Sequence, residues 1–120
     1  MTDQADIRQD PAFREMEAGI ARERALITGR SKVPFLKRWL NHIGCKTLTE
    51  AKVLRQASLR DHVIPVDLEE QKLQELLPIL EKDGISRKGI ERHFNTIHSF
   101  YYHNGVPLTD QLPSKYKASA

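Results

Sequence analysis

The chain has 120 residues, which suits one compact domain and is too short for two independent cores of ordinary size. Apolar residues make up 39% of the sequence and charged residues 29%, so a folded protein is expected rather than a disordered one. The formal net charge of +3 is modest, and the basic excess lies after residue 30. A basic body suits a polyanionic partner but does not by itself establish one.

Targeting signals and cysteine chemistry are not expected. No apolar run approaches the roughly 20 residues that span a bilayer, and the N-terminal stretch MTDQADIRQD is polar. We therefore expect no membrane contact and a cytoplasmic location. The single cysteine, Cys45, cannot form an internal disulfide and is expected to be a half-buried residue beside a turn.

The first 30 residues predict an amphipathic helical extension, running from Asp10 to about Thr28. Asp10-Pro11 is typical of an N-cap followed by a proline in the first turn. Apolar residues then recur at helical spacing. Such a helix either packs on the body or mediates self-association or contact with another protein, and the pattern favours neither. The apolar positions are Phe13, Met16, Ile20 and Ile27.

Residues 31–105 predict the helical body. A 3.6-residue apolar period around Trp39, predicted to be a core residue, ends at Gly44. Thr47-Leu-Thr-Glu50 has the form of a capping box and begins the next helix. A further helix starts after Asp67 and should kink or break just before Pro78. The adjacent pair Glu69-Glu70 in that helix is interpreted as solvated surface.

No stretch alternates apolar and polar residues for long enough to form a strand, so the predicted fold is all-α, a compact bundle of about five helices. Residues 106–120 contain two prolines and small polar residues, which predict a tail or linker. The last helix should begin after Ser86 as its N-cap and end near His103.

One face of this last helix is apolar and the opposite face is cationic and polar. Two cations, an amide and a hydroxyl are the groups that bind phosphate oxygens and base edges, so this face is the candidate DNA-binding site. Its apolar face comprises Ile90, Phe94, Ile97 and Tyr101. The opposite face comprises Lys88, Arg92, Asn95 and Ser99, flanked by Thr96 and His103, while Arg87 lies on the shoulder nearer the core.

The order of residues in this helix resembles the end of the core-binding domain of tyrosine recombinases and phage integrases. The matching positions are Ser86, Ile90, Arg92, Phe94, Ile97, Ser99, Phe100, Tyr101 and Gly105. The resemblance implies a SAM-like, integrase N-terminal-like bundle that packs against double-stranded DNA, with Arg92 and Ser99 facing the DNA and Lys88 and Asn95 beside them. Gly89 departs from that family's pattern, which usually has threonine there.

The residues after Gly105 are too few to form the catalytic domain of such a recombinase, so we expect a non-catalytic DNA-binding domain. The five histidines have no ligand spacing, and no phosphate loop or nucleophile motif occurs. No enzyme activity, metal, cofactor or small-molecule substrate is therefore expected.

Two other interpretations stay open. Gly84-Ile85-Ser86 followed by Ile90 is typical of a helix-turn-helix, in which Arg87, Lys88, Glu91 and Arg92 would read the DNA. A different class is a small protein-interaction module, an inhibitor, adaptor or oligomerising factor, that uses the N-terminal helix and the Phe100–Tyr102 aromatic cluster as its surface. Salt separates the classes, because phosphate binding weakens steeply as salt rises.

Overall fold

The computed structural model describes residues 4–23, 32–61 and 67–117. Throughout these ranges the regular structure is helical, which confirms the predicted fold class, and six α-helices occur where about five were expected. The helices are α1 (Gln4–Gln9), α2 (Pro11–Glu23), α3 (Val33–Ile43), α4 (Leu48–Asp61), α5 (Leu68–Lys82) and α6 (Arg87–His103), followed by a 3-10 helix (Ser114–Tyr116).

Helix α6 lies at the centre of the packing and contacts α2, α3, α5 and the 3-10 helix. Its predicted apolar face is buried, with Ile97 and Tyr101 fully inaccessible to solvent. The Trp39 indole Nε1 of α3 donates a hydrogen bond of 2.9 Å to the Tyr101 hydroxyl, and both side chains are buried. Trp39 is therefore a core residue, as its apolar period predicts.

The predicted helix ends are largely confirmed. The Ser86 Oγ accepts a hydrogen bond from the Gly89 amide (3.1 Å), and the Thr47 Oγ1 accepts one from the Glu50 amide (3.1 Å). At the end of α3, Gly44 adopts the left-handed conformation with φ of 77°. Asp67 differs, because it occupies the N-cap position of α5 but makes no side-chain capping bond.

The N-terminal helices pack on the body, which answers the question left open by their sequence. Phe13 and Met16 of α2 are fully buried, and Gly19 lies directly against the ring of His103 on α6. A Cβ at Gly19 would overlap that ring, so the absence of a side chain permits the close approach of the two helices. Residues 24–30, which include the predicted helix end at Thr28, lie outside the described residues.

The Asp10 carboxylate joins the starts of α2 and α4. Its Oδ1 caps α2 by accepting a hydrogen bond from the Ala12 amide at 2.8 Å. The Thr49 hydroxyl and amide of α4 also donate to Asp10, at 2.7 and 3.1 Å. The predicted N-cap Asp10 therefore also binds the start of α4. These bonds attach the N-terminal helices to the body.

A buried cluster of charges holds α4, α5 and the segment after α6 together. The Arg55 guanidinium of α4 is 1% exposed and donates to Glu70 through two hydrogen bonds of 2.8 Å and to Glu69 at 3.1 Å. It also donates to the Pro107 carbonyl at 2.8 Å. The interpretation of Glu69 and Glu70 as solvated surface is therefore wrong, because both carboxylates are buried against Arg55.

Residues 106–117 pack on the body, unlike the tail or linker that their prolines predict. Four apolar side chains spaced along this segment are buried, and their burial stabilises the packing of a segment whose other residues are mostly polar. Thr109 donates two hydrogen bonds to the Glu70 carboxylate, and the Tyr116 hydroxyl donates to Glu81 at 3.1 Å. The buried side chains are Val106, Leu108, Leu112 and Tyr116.

Helix α5 continues through Pro78, so the predicted break does not occur. A proline in a helix interior costs about 3 kcal/mol. Leu76, Leu77 and Leu80 lie on both sides of it and are buried, and each buried leucine contributes about 1.5–3 kcal/mol. Tertiary burial therefore outweighs the local preference, while Pro78 itself faces solvent.

Replacing Arg55 with methionine should strongly destabilise the fold. Two buried carboxylates would lose their cationic partner, which costs about 3–5 kcal/mol in comparable buried pairs. Urea unfolding followed by Trp39 fluorescence measures the effect, and Gln56→Met, on the exposed neighbouring position, should change stability by less than about 0.5 kcal/mol. Equal stabilities for the two variants would contradict a structural role for the cluster.

Candidate nucleic-acid interface

The polar face of α6 is exposed along most of its length. Lys88, Arg92 and Asn95 are exposed, and Ser99 is partly exposed. At about 100° per residue they fall within an arc of roughly 60°, and at about 1.5 Å per residue they extend over about 16 Å of the helix. Arg87 is also exposed, at the first position of the helix. Lys88, Arg92, Asn95 and Ser99 therefore form one row, and Arg87 lies about 80–100° from its nearest members around the helix axis, on the shoulder nearer the core. We call these five residues the α6 polar face.

No hydrogen bond or ion pair engages the side chains of these five residues within the described parts of the chain. Lys52 and Lys82 likewise have no side-chain partner among the described residues, whereas two other long cations do. Arg38 is bonded to His93, and Lys115 lies 3.6 Å from the Glu81 carboxylate. The guanidinium and ammonium groups of the α6 polar face thus keep their donors available for an external acceptor.

Two residues that the sequence placed beside the exposed set, on the side of α6 next to α2, are less exposed than expected. Thr96, expected beside the exposed set, is 2% exposed, and His103 is only partly exposed. Helix α2 approaches closely at Gly19, against the His103 ring, and so covers the His103 end of this side of α6. Glycine also suits position 89, because a Cβ there would lie 2.8 Å from the Ile85 side chain.

His93 connects α6 to α3 and is buried. Its Nδ1 lies 2.7 Å from the Gly89 carbonyl, so this nitrogen carries the proton, and Nε2 accepts from the Arg38 guanidinium at 2.8 Å. The Phe35 ring packs against it, with centroids 4.2 Å apart. Burial, with a smaller contribution from the Arg38 charge, lowers the pKa of His93 despite the opposing effect of the Gly89 carbonyl.

Two further residues lie beside this face. Sequence reasoning missed Arg38, and it assigned Tyr102 to the aromatic cluster of the protein-interaction alternative. Arg38 is exposed on α3, and its bond to His93 holds its guanidinium beside α6. Tyr102 is 59% exposed, although its neighbours Phe100 and Tyr101 are fully buried. Helical periodicity places Tyr102 on the shoulder of α6, but only the folded structure shows how little of it is covered.

An open groove of about 520 Å³ between α2 and α4 is a weaker candidate site. The Asp10 oxygens beside it are already bonded to Ala12 and Thr49. Arg14 in its wall donates to the Gln9 side chain at 2.7 Å. The groove therefore has fewer polar groups available for a ligand than the α6 polar face. It is lined by Gln9, Pro11, Ala12, Arg14, Glu15, Thr49 and Lys52.

The other candidate reactive residues, Cys45 and Tyr116, lie in surroundings that disfavour a catalytic role. Burial raises the pKa of the partly buried Cys45 thiol, and the carboxylates of Glu50 and Glu69 raise it further, so the thiolate is disfavoured. Tyr116 is buried against α5. In the described ranges, no group of three or more His, Cys, Asp or Glu side chains is placed to hold a metal ion.

Acid should destabilise the fold partly through His93. The pKa of His93 in the folded state lies below its ordinary value of 6.5. At a pH between these two pKa values, the unfolded chain is protonated at His93 and the folded chain is not. Stability is therefore lost as pH falls below about 6.5. Urea unfolding between about pH 8 and pH 5 should show a smaller loss for His93→Gln than for the unsubstituted protein, and an equal loss would contradict the assignment.

Comparisons with known proteins leave the chain without a match. No protein-family model, no curated protein and no solved structure matches it. Among the helices of the described residues, none combines the length and apolar character needed to cross a membrane. The residues of α6 and their surroundings are therefore the basis for assigning a function.

Proposed function

We propose that this chain is a non-catalytic DNA-binding domain that contacts double-stranded DNA through the α6 polar face. Lys88 and Arg92 bind phosphate oxygens, and Asn95 and Ser99 lie beside them, within reach of phosphates or base edges. The proposal includes a relation to the core-binding module of tyrosine recombinases, based on the order of residues in α6. The observation that carries it is a row of exposed, unpartnered cations on a helix whose other side is buried, within the described part of the chain.

The position of Arg87 and Lys88 in α6 is unfavourable for helix stability, which favours a role for them in binding an anion. Arg87 and Lys88 stand in the first turn of α6, which contains no acidic residue. The N-terminal end of a helix carries a partial positive charge, so cations there are unfavourable by about 0.3–1 kcal/mol each. A bound phosphate would reverse this effect, because the helix N-terminus and both side chains attract anions.

The rigidity of α6 also favours recognition of a regular surface. Tyr101 is bonded to Trp39, and His93 is bonded to Arg38, so α6 is fixed against α3 at two points. The major groove of B-DNA is about 12 Å wide and admits an α-helix. A helix whose exposed face is already positioned loses little conformational entropy on binding.

The protein-interaction alternative loses most of the surface assigned to it. The apolar side chains of α2 are covered by the body, and Phe100 and Tyr101 are fully buried. Only Tyr102 of that aromatic cluster faces solvent. A phosphate-binding surface accounts better for the exposed residues of α6, which are mainly cationic and polar.

Replacing both Lys88 and Arg92 with alanine should weaken duplex binding and flatten its salt dependence. Each phosphate contact releases condensed counterions, so the slope of log K against log salt should fall in magnitude by about 0.9 per contact, or about 1.8 for two. Fluorescence anisotropy of a labelled duplex over a range of salt concentrations measures both effects.

The matched control is Lys52→Ala/Lys117→Ala, which removes the same charge from α4 and from the segment after α6. The control should keep nearly the original slope. Equal loss in both double variants would show that only net charge matters. A folded protein that binds no duplex at low salt would contradict the proposed function altogether.

The helix-turn-helix geometry makes a different prediction along α6. It uses the first turns, so Arg87→Ala should weaken binding more than Asn95→Ala/Ser99→Ala does. The recombinase-like arrangement predicts the opposite order, because Asn95 and Ser99 lie on its DNA-facing arc and Arg87 lies at the shoulder. Loss of one or two hydrogen bonds at about 1 kcal/mol each corresponds to about fivefold to thirtyfold in affinity, within the range of anisotropy titrations.

A further inference from the structure

Tyr102 is the one exposed side chain among all the Phe, Tyr and Trp residues of the chain, every one of which lies in the described ranges. It is 59% exposed, while Phe100 and Tyr101 before it are at 0%. Its hydroxyl makes no hydrogen bond within the described residues. The Tyr102 ring is therefore neither part of the core nor fixed by a polar contact at its tip.

This ring lies at the C-terminal end of the α6 polar face. At about 100° per residue, Tyr102 is about 20° from Asn95 and about 60° from Ser99 around the helix axis. It extends the face to about 21 Å from Lys88, the length of about six base-pair steps. A ligand that lies along the cations can therefore reach the aromatic ring.

The adjacent His103 ring is not stacked parallel to the Tyr102 ring. The His103 ring centroid is 4.9 Å away, and the two planes meet at 79°. His103 is itself packed beside Gly19, so it has little freedom to rotate into a stacked arrangement. Because Tyr102 is 59% exposed, much of its side chain is accessible beside the cations of the α6 polar face.

Nucleic-acid chemistry links these two features. Bases stack on exposed aromatic rings in proteins that combine such rings with cationic surfaces. In the interior of a duplex the bases stack on one another, so a side chain reaches a base face there only by unstacking a step, which costs about a few kcal/mol. An unpaired nucleotide offers its face without that cost. A cationic row that ends in an open ring thus fits a duplex that ends in single-stranded DNA.

We propose, building on the DNA-binding function above, that Tyr102 stacks on an unpaired nucleobase, and that the chain recognises the junction between duplex and single-stranded DNA. Lys88 and Arg92 hold phosphates of the duplex part. Asn95 and Ser99 lie between them and the ring, so the strand passes from paired to unpaired along the second half of α6.

Anisotropy titrations of the full chain at one fixed salt concentration test this, using a blunt duplex and the same duplex with a short 3′ or 5′ overhang. One overhang probe should bind more tightly than the blunt duplex, by between about 5-fold and 150-fold, the range for one stacked base. Tyr102→Ala and Tyr102→Leu should abolish the preference, so that the overhang and blunt probes bind with equal affinity. Tyr102→Phe, which keeps the ring, should retain it.

Several outcomes would overturn the inference and leave duplex binding intact. These are equal affinity for all three probes, a Tyr102→Leu variant that keeps the preference through apolar contact alone, or a Tyr102→Ala variant that weakens blunt and overhang binding equally. Loss of self-association in Tyr102→Ala, seen by sedimentation together with unchanged DNA binding, would assign the ring to a protein contact instead. Absence of salt-dependent binding to every probe would contradict the proposed function itself.

Discussion

Arg55 connects three parts of the chain that are distant in sequence, and the surroundings of α6 depend on it. It is bonded to Glu69 and Glu70 of α5 and to the carbonyl of Pro107, while Glu70 also accepts hydrogen bonds from Thr109. Because α5 and the 3-10 helix contact α6, this buried cluster fixes what covers one side of that helix. An unpaired buried charge is costly, so the three segments must dock together.

The exposed face of α6 is determined by what covers its other sides. Helix α3 is joined to it by Trp39–Tyr101 and by Arg38–His93, and α2 approaches closely at Gly19. The remaining arc carries the cations, Asn95 and Ser99, with no partner in the described residues, and ends in an exposed tyrosine. For the DNA binding that we propose, this arrangement is organised in advance, which reduces the entropy lost on binding.

The sequence predicted the features that depend on residues close together in the chain, such as helix caps and apolar faces. It failed where burial depends on residues that are distant in the chain. The four apolar positions of α6 and the caps at Asp10, Thr47 and Ser86 are local patterns, and the structure confirms them. The Glu69-Glu70 pair resembles solvated surface because its partner Arg55 lies on another helix. A kink or break was predicted at Pro78, and the break does not occur. Neither the continuous helix there nor the packing of the segment after α6 follows from local preference, because both depend on burial of apolar side chains against other parts of the chain. The exposed cations of α6 were predictable, but the isolation of Tyr102 was not.

The most direct test of DNA binding by α6 is an NMR titration of the isotopically labelled protein with a duplex DNA, followed through its backbone amide signals. Binding through the α6 polar face predicts that the largest shifts cluster between Arg87 and Ser99, with smaller changes in the adjoining part of α3 around Arg38. Shifts concentrated on the groove between α2 and α4, or the absence of shifts at a DNA concentration well above that of the protein, would contradict it.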